Sequence, residues 1–284
     1  MTLLPDDFQF SQASLQDFED CPRRFQLRYL EGLRWPAVEA EPIEEHEKRM
    51  AIGTDFHTMA QRHILGLPEA QIERSAHDPD LLRWWRNLLT YRPVETFGGD
   101  PSTAKVRSEV VLQAQVAGYG LVAKYDVVIV NPRCRFVILD WKTSSRRPLD
   151  QDLKGRLQTR VYRLLAVEAG GYLNDGEAID PGSVEMVYWF PEFPDAPVRL
   201  PYDASQYESD RRYLERLITE IAGMDEATYA LTEDEPRCKY CLYRSYCGRG
   251  AEAGELAEAA PEWEATSSLE DLDLDLEQIA EIAF

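Results

Sequence analysis

The sequence predicts a mixed α/β fold with an αβββαβ core, preceded by a helical part and followed by a cysteine cluster. Three patterns lead to this prediction. Runs rich in β-branched residues lie on both sides of Asn131-Pro132-Arg133, which is typical of an antiparallel hairpin with a tight turn. A similar run, Lys105 to Val116, precedes this hairpin. An apolar stripe at helical spacing follows it, and helices packed on a sheet account for this order.

The elements are predicted in order along the chain. Helices occupy most of residues 11–92, where Gly53 to Gly66 has the periodicity of an amphipathic helix and Trp84-Trp85 is expected in a core or a partner contact. The remaining elements are strands at 105–117, 119–131 and 134–142, a helix at 150–170, a strand at 183–190 and a helix at 204–224. The helix at 150–170 has an apolar stripe and ends at Gly170-Gly171. Its stripe consists of Leu153, Leu157, Val161, Leu164 and Leu165.

Charge divides the chain near residue 250. The net charge is −20 for 284 residues, and residues 251–284 hold eleven acidic residues without a Lys or Arg. Residues 1–250 therefore carry only −9, which does not exclude a cleft for an anionic ligand. We expect one domain over residues 1–250 and an acidic, flexible tail over 251–284. Within the domain the expected parts are a helical part at about 11–92, a catalytic core at about 105–224 and a cysteine cluster at 238–247.

Composition also bears on where the protein works. No run approaches the ~18 apolar residues that a membrane helix needs, and the N-terminus lacks the basic segment of a signal peptide. The five cysteines are an odd number, which argues against a disulfide framework. These features predict a cytoplasmic protein that does not contact a membrane.

Two carboxylates and a lysine, Asp126, Asp140 and Lys142, lie on the predicted hairpin. If the turn centres near Pro132 or Arg133, residues whose numbers sum to 265 or 266 face each other, so the two aspartates meet across the strands. Because side chains alternate between faces, Lys142 shares the face of Asp140. Two opposed carboxylates repel each other unless a cation lies between them. The pattern predicts a divalent-cation site, with ordinary ion pairs at strand ends as the alternative.

Three cysteines, Cys238, Cys241 and Cys247, lie within ten residues in a C-x2-C-x5-C pattern, so a short turn could direct three thiols at one centre. A tetrahedral or cubane site needs a fourth thiol. Cys21, directly before a predicted helix start, is a better candidate than Cys134, which belongs to the hairpin. A link between these segments would close a loop of more than two hundred residues. The spacing suits zinc and an iron–sulfur cluster equally well.

Taken together, these features resemble the iron–sulfur branch of the RecB-like PD-(D/E)XK nucleases, which includes the CRISPR-associated Cas-four exonucleases and the AddB nuclease domain. The resemblance spans roughly residues 8–250, and the motifs occur in family order. They are Ser11-x-x-Ser14, Cys21-Pro22-Arg23-Arg24-Phe25, Gly53-Thr54-Asp55-Phe56-His57, Asp126, Asp140-Trp141-Lys142-Thr143, Gln158-x-x-x-Tyr162 and the three-cysteine cluster. The resemblance implies a restriction-endonuclease-like fold.

The resemblance also implies cofactors and residue roles. The implied ligands of a 4Fe-4S cluster are Cys21, Cys238, Cys241 and Cys247. The implied catalytic residues are Asp126, Asp140, Lys142, Gln158 and Tyr162, of which the last two contact the DNA backbone or orient the lysine. Mg²⁺ or Mn²⁺ takes oxygen ligands, so the expected metal ligands are Asp126, Asp140, the carbonyl of Trp141 and, from the resemblance, His57. Apart from the resemblance, Glu109 on the preceding strand is expected to be an exposed strand residue, with an auxiliary acid as the alternative.

The function that the resemblance predicts is a Mg²⁺- or Mn²⁺-dependent deoxyribonuclease. It would hydrolyse phosphodiester bonds in single-stranded DNA or at DNA ends, during DNA repair, recombination or CRISPR adaptation. The sequence contains no P-loop of the form G-x-x-x-x-G-K-[ST], so the expected partners include a helicase or a CRISPR-adaptation protein. The alternative is a non-catalytic iron–sulfur subunit that binds DNA ends within a larger complex. The intact set of Asp126, Asp140 and Lys142 favours the enzyme.

Overall fold

The computed structural model describes residues 4–5, 7–33, 41–98, 103–131, 135–225 and 228–250, and in these ranges it contains six strands and nine α helices. The strands are β1 (Gln9–Ser11), β2 (Lys105–Val116), β3 (Tyr119–Asn131), β4 (Arg135–Trp141), β5 (Val184–Trp189) and β6 (Val198–Pro201). The helices are α1 (Gln12–Asp20), α2 (Pro22–Phe25), α3 (Glu41–Ile64), α4 (Glu69–Glu73), α5 (Pro79–Tyr91), α6 (Pro93–Gly98), α7 (Asp150–Gly155), α8 (Leu157–Ala169) and α9 (Ala204–Ala222). The predicted turn at Pro132-Arg133, Cys134 and the acidic tail lie outside the described residues.

The six strands form one sheet that is centred on β3. One edge of β3 pairs antiparallel with β2 along nearly the whole length of β3. The other edge of β3 pairs with two strands, with β1 in parallel and with β4 antiparallel. β5 lies parallel to β4, and β6 is antiparallel to β5. The parallel pair requires a crossover, which α7 and α8 provide. The predicted α/β fold with its αβββαβ order is confirmed.

Two strands, β1 and β6, were not predicted. They have three and four residues, which is too short for a residue pattern to reveal a strand.

Helices cover both faces of the sheet and create two hydrophobic cores. On one face, α1, α8 and α9 pack against the sheet through buried aliphatic and aromatic side chains. On the other face, α3 and α5 form a smaller core that includes Trp84 and Trp85, which are 7% and 0% exposed. The expectation that these two tryptophans belong to a core is confirmed. Along the described chain, no helix is both long enough and apolar enough to cross a membrane.

The helix predicted at 150–170 is wrong as a single element. Its apolar stripe is buried, but Arg156 adopts an extended backbone with ψ of 145° and separates α7 from α8. Gly155 ends α7, and glycine is a poor helix former. The hydroxyl of Thr159 donates to the carbonyl of Leu153 at 2.6 Å and so secures the break from inside. The side chain of Arg156 is thereby presented at the start of α8.

The motif Ser11-x-x-Ser14 is a helix cap. The N–H of Ser14 donates to the hydroxyl oxygen of Ser11 at 3.2 Å, and the N–H of Ser11 donates to that of Ser14 at 2.9 Å. This reciprocal arrangement satisfies backbone donors at the start of α1. It fixes the junction between β1 and α1, which leads directly to Cys21.

A buried ion pair joins α8 to α9. Asp210 is 3% exposed, and it accepts hydrogen bonds from Arg160 at 2.7 Å and from Arg163 at 3.2 Å. Arg163 is equally buried and lies over the ring of Tyr202, 4.4 Å from its centre. Because both charges are desolvated, each depends on the other.

Asp210→Ala should therefore lower the free energy of unfolding by about 3 kcal/mol or more, since it leaves the Arg163 guanidinium buried without its partner. Urea unfolding measures the change. Glu215→Gln is the matched control, because Glu215 pairs with Arg211 on the exposed side of the same helix. Its loss should stay below about 0.5 kcal/mol. Equal losses in the two variants would contradict this account of the α8–α9 junction.

Candidate active site

The register of β3 and β4 brings the two predicted aspartates together. Val127 pairs with Leu139 and Val128 with Ile138, so paired residue numbers sum to 266 as predicted. The next position in this register places Asp126 opposite Asp140. On its other edge, β3 pairs with β2 on either side of Asp126 but not at it, where Glu109 has a φ of +55°. The candidate site therefore lies where the regular hydrogen bonding of the sheet is interrupted.

Asp126 is held by a helix on one side and by the sheet backbone on the other. His57 Nδ1 lies 3.2 Å from Asp126 Oδ1, and the backbone N–H of Trp141 donates to Oδ2 at 2.8 Å. Burial works to raise the pKa of Asp126, but His57, Lys142 and the Trp141 N–H outweigh it and lower that pKa. Burial likewise disfavours the charged form of His57, yet the carboxylate of Asp126 raises the pKa of His57 above its usual range.

Asp140 is the more deeply buried carboxylate, at 3% exposure. Burial, reinforced by the charge of Asp126, raises the pKa of Asp140 to about 6 in spite of Lys142. Gln158 Nε2 donates to Oδ1 at 2.8 Å. Lys142 Nζ lies 2.7 Å from Oδ2 and forms an ion pair with it. The ammonium also lies 5.4 Å from the centre of the Tyr188 ring.

A cavity of about 790 Å³ opens onto these groups. All seven predicted catalytic and metal-binding residues line it, namely His57, Asp126, Asp140, Trp141, Lys142, Gln158 and Tyr162. Cavities of this size are typical of binding sites for small ligands and segments of larger ones. The structure thus places the predicted site residues around one cavity, and their roles stay predictions.

Gln158 and Tyr162 lie one turn apart on α8 and contact two different strands. Gln158 bonds to Asp140, the ion-pair partner of Lys142, and the hydroxyl of Tyr162 donates to the carbonyl of Lys124 at 2.8 Å. Lys124 forms an ion pair with Glu109. Tyr162 therefore fixes the backbone of β3 two residues before Asp126. The carboxylate of Glu109 lines the cavity as half of this ion pair.

The donor set suits a hard divalent cation. Two carboxylates face one cavity, and the buried Oδ2 of Asp140 has the Lys142 ammonium beside it. Among the described residues, no group of three or more His, Cys, Asp or Glu side chains is arranged to hold a metal ion. Mg²⁺ does not require such a group, because one or two carboxylates, water and substrate phosphates commonly complete its shell. Asp126 and Asp140 could hold such an ion, with His57 beside them.

His57 reaches Asp126 because α3 approaches the end of β4 closely. A Cβ atom at Gly53 would lie 2.8 Å from the hydroxyl oxygen of Thr143, which directly follows Lys142. Only a residue without a side chain permits this approach without a shift. Gly53 thus sets the distance between the helix that carries His57 and the strand that carries Asp140.

The four predicted cysteine ligands line a second, small cavity. Cys21 comes from the start of α2, and Cys238, Cys241 and Cys247 come from the C-terminal segment. Burial raises the pKa of each of the last three thiols, to about 11 for Cys241, and nearby thiolates raise it further. The other residues lining this cavity include Arg24, Arg237 and Arg244.

The two chain segments that carry these cysteines are also joined by hydrogen bonds. The N–H of Arg23 donates to the carbonyl of Ala230 at 3.1 Å, and the hydroxyl of Tyr243 donates to the carbonyl of Leu33 at 2.9 Å. Arg237 forms an ion pair with Asp20. The two segments that carry Cys21 and the distant cysteine cluster therefore lie side by side, and the role of the four thiols stays a prediction.

Sequence reasoning missed several residues that line the large cavity. Arg156 lies two positions before Gln158, and a basic residue at a helix start was the available signal. Glu192 accepts hydrogen bonds from Trp84 Nε1 at 2.7 Å and from Arg83 at 2.5 Å. These partners are more than one hundred positions apart in the chain, and no local pattern reveals such a contact.

Comparison with known proteins identifies one family. The model of the family described as the PD-(D/E)XK nuclease superfamily matches residues 9–248. Comparison with curated proteins gives no match. Solved structures that match this chain include SSO0001, with a TM-score of 0.37, 15% identity, and 87% of this chain and 88% of that chain covered. A protein from Eubacterium rectale, provisionally described as an exonuclease, has a TM-score of 0.46, 10% identity, and coverage of 74% and 79%.

Gly53→Ala should reduce phosphodiester cleavage about tenfold, because the new methyl group pushes α3 and His57 away from β4. Fold stability should change little, since alanine favours the helix by about 1 kcal/mol and offsets the contact. Cleavage of labelled DNA and thermal unfolding measure the two effects.

The double variant Gly53→Ala, Thr143→Ala provides the control. Removing the Thr143 hydroxyl leaves space for the methyl group and should restore most of the activity lost in Gly53→Ala. If Gly53→Ala alone is fully active, the close approach of α3 does not position His57.

Proposed function

Because the chain belongs to the PD-(D/E)XK nuclease superfamily, we propose that it is a divalent-metal-dependent deoxyribonuclease that acts on single-stranded DNA or DNA ends. The observation that carries the proposal is the pair of carboxylates, the half-buried Asp126 and the buried Asp140, facing one cavity with Lys142 beside them. A retired site would have no need for two opposed carboxylates, because their repulsion costs free energy when nothing compensates it. The preference for single strands or ends rests on the family resemblance.

The cation would be held by Asp126 and Asp140, with His57 and the carbonyl of Trp141 as further ligands. Bound there, Mg²⁺ or Mn²⁺ supplies an activated water and neutralises charge on the phosphate. The protein supplies the alignment. Gln158 fixes Oδ1 of Asp140, and the Trp141 N–H fixes Oδ2 of Asp126, so neither carboxylate can rotate freely. A site fixed in this way needs little reorganisation during the reaction.

Lys142 is proposed to act on the attacking water and the developing charge. Its ammonium is half-buried, lies at the cavity and is 2.7 Å from Asp140. From this position it can hold a water molecule by hydrogen bonding and stabilise negative charge on a phosphate oxygen. Its ion pair with Asp140 keeps the ammonium oriented towards the site when no substrate is present.

We also propose that the four cysteines hold a 4Fe-4S cluster. Support comes from the chemistry of the donor set, since Cys21, Cys238, Cys241 and Cys247 line one cavity together with arginines. Thiolates bound to iron carry negative charge, which nearby guanidinium groups stabilise. A group bound by all four thiols would draw them closer together than they lie in this structure. Zinc is the competing occupant, because four thiolates suit it as well.

The wider role follows from the same resemblance. We propose that residues 1–250 form the nuclease unit and that the protein acts in the cytoplasm, in DNA repair, recombination or CRISPR adaptation. An unwinding partner such as a helicase would supply single strands, and a CRISPR-adaptation protein is the other candidate partner. The acidic residues 251–284 would lie outside the nuclease unit.

Asp140→Asn and Lys142→Met should each lower the cleavage rate at least a thousandfold, since one removes a metal-binding charge and the other the ammonium at the reacting phosphate. The assay uses labelled single-stranded and double-stranded DNA, linear and circular, with Mg²⁺, Mn²⁺ or EDTA. Visible absorption from any cluster should be unchanged, because the cysteines lie in a separate cavity. Full activity in both purified variants would refute the assigned site. Wild-type protein that cleaves none of these substrates would refute the proposed nuclease activity.

Cys241→Ser should lose iron and visible colour and unfold at a lower temperature than the wild type, because a serine hydroxyl is a poor ligand for iron. Elemental analysis of the anaerobically purified protein and thermal unfolding measure these effects. Ser245→Ala, in the same segment, should retain iron. Wild-type protein that contains one zinc and no iron would contradict the cluster.

A further inference from the structure

Arg156 differs from the other cationic side chains that line the large cavity. Lys124, Lys142 and Arg83 each form an ion pair with a carboxylate, while Arg49 is exposed to solvent. Arg156 is half-buried, and its Nε and Nη2 atoms are buried without a hydrogen-bond partner. Across the ranges that the structure describes, no carboxylate lies within ion-pair distance of its guanidinium group.

Such an arrangement is unfavourable unless a ligand completes it. A buried donor without a partner destabilises the fold, and a guanidinium group presents five donors that water or an anion must satisfy. Arg156 nevertheless occupies a backbone position that separates α7 from α8 and turns its side chain towards the cavity. The fold therefore places a cation without a carboxylate partner among the described residues at the wall of the cavity.

The position of Arg156 relates it to the candidate catalytic groups. It lies two residues before Gln158, which bonds to Asp140. Its charge acts on the hydroxyl of Tyr188, and the ring of Tyr188 lies under Lys142. Arg156 and Lys142 both line the same cavity. A nucleic-acid strand that occupies this cavity would meet both cationic side chains.

We propose that Arg156 is a substrate-binding residue that holds a phosphate adjacent to the cleaved bond, an inference that rests on the proposed nuclease function. The planar fork of the guanidinium group matches two phosphate oxygens, as an ammonium group does not. Binding there fixes the register of the strand, so that the next phosphate lies at Asp126, Asp140 and Lys142. Arg156 contributes no proton or electron to the reaction.

Substrates with one neutral linkage test this assignment. A series of single-stranded oligonucleotides carries one methylphosphonate at successive positions around the cleaved bond, and single-turnover cleavage is measured with Mg²⁺ or Mn²⁺. The wild type should lose about ten- to a hundredfold in rate at one flanking position, the range expected for a charge-assisted contact. Arg156→Met should be slower on the unmodified strand by a similar factor and insensitive to the substitution at that position. Arg156→Lys should regain part of the rate and of the sensitivity.

Binding in EDTA provides a second measurement that does not depend on catalysis. The slope of log affinity against log salt for a labelled single strand should decrease in magnitude by about 0.7 in Arg156→Met, the value for one lost phosphate contact. The control is Arg86→Met, which removes an equal charge from the exposed face of α5 where Arg86 pairs with Glu73. Its slope and its cleavage rate should equal those of the wild type.

The outcomes separate this inference from the function on which it rests. If the wild type cleaves DNA and Arg156→Met retains the wild-type rate, methylphosphonate profile and salt slope, the assignment of Arg156 is wrong. If the wild type cleaves no DNA but Arg156→Met still loses one phosphate contact in EDTA, the nuclease proposal fails and the phosphate site stands. If Arg156→Met is slower on every substrate but its rates still depend on the methylphosphonate position as those of the wild type do, the assignment is also refuted.

Discussion

The opposition of Asp126 and Asp140 across the β3–β4 hairpin is the constraint around which the site is built. Two carboxylates in this position cannot both be charged without compensation, and their environments push their pKa values apart. Asp126 receives the stabilising groups, His57 and a backbone N–H, while Asp140 is more deeply buried and shares the Lys142 ammonium. The surrounding contacts are consistent with a site that accepts further positive charge.

The three-layer fold explains how two opposed residues receive support from two directions. His57 reaches Asp126 from α3, which packs on one face of the sheet, and Gln158 reaches Asp140 from α8, which packs on the other. A regular sheet would separate these helices by its full thickness. Their side chains reach neighbouring carboxylates at the place where the β3–β4 pairing ends at Val127 and the β2–β3 ladder is interrupted at Glu109. The irregularity at Glu109 therefore lies at the site, and the side chain of Glu109 lines the cavity.

The features that could be predicted from the sequence are those that depend on residues close together in the chain. The register of the hairpin followed from the turn position, and the buried stripe of α8 followed from helical spacing, because both depend on residues close in the chain. The break at Arg156 escaped prediction because the apolar spacing continues across it from Leu153 to Leu157. Glu192 and Trp84 are 108 positions apart in the sequence, and only the packed fold brings them into contact. For the same reason, no residue pattern predicts in which direction a side chain points inside the cavity.

The junction of the two cysteine-bearing segments joins parts of the chain that are far apart in sequence. Bringing Cys21 to Cys247 closes a very long loop, but the entropic cost of closure grows only slowly with loop length. The bond from Arg23 to Ala230 and the bond from Tyr243 to Leu33 span the same separation. They are neutral hydrogen bonds, and each contributes about 1 kcal/mol. These bonds lie in the same junction as the cavity lined by the four thiols, so a group that all four thiols hold would add a further link between the two segments.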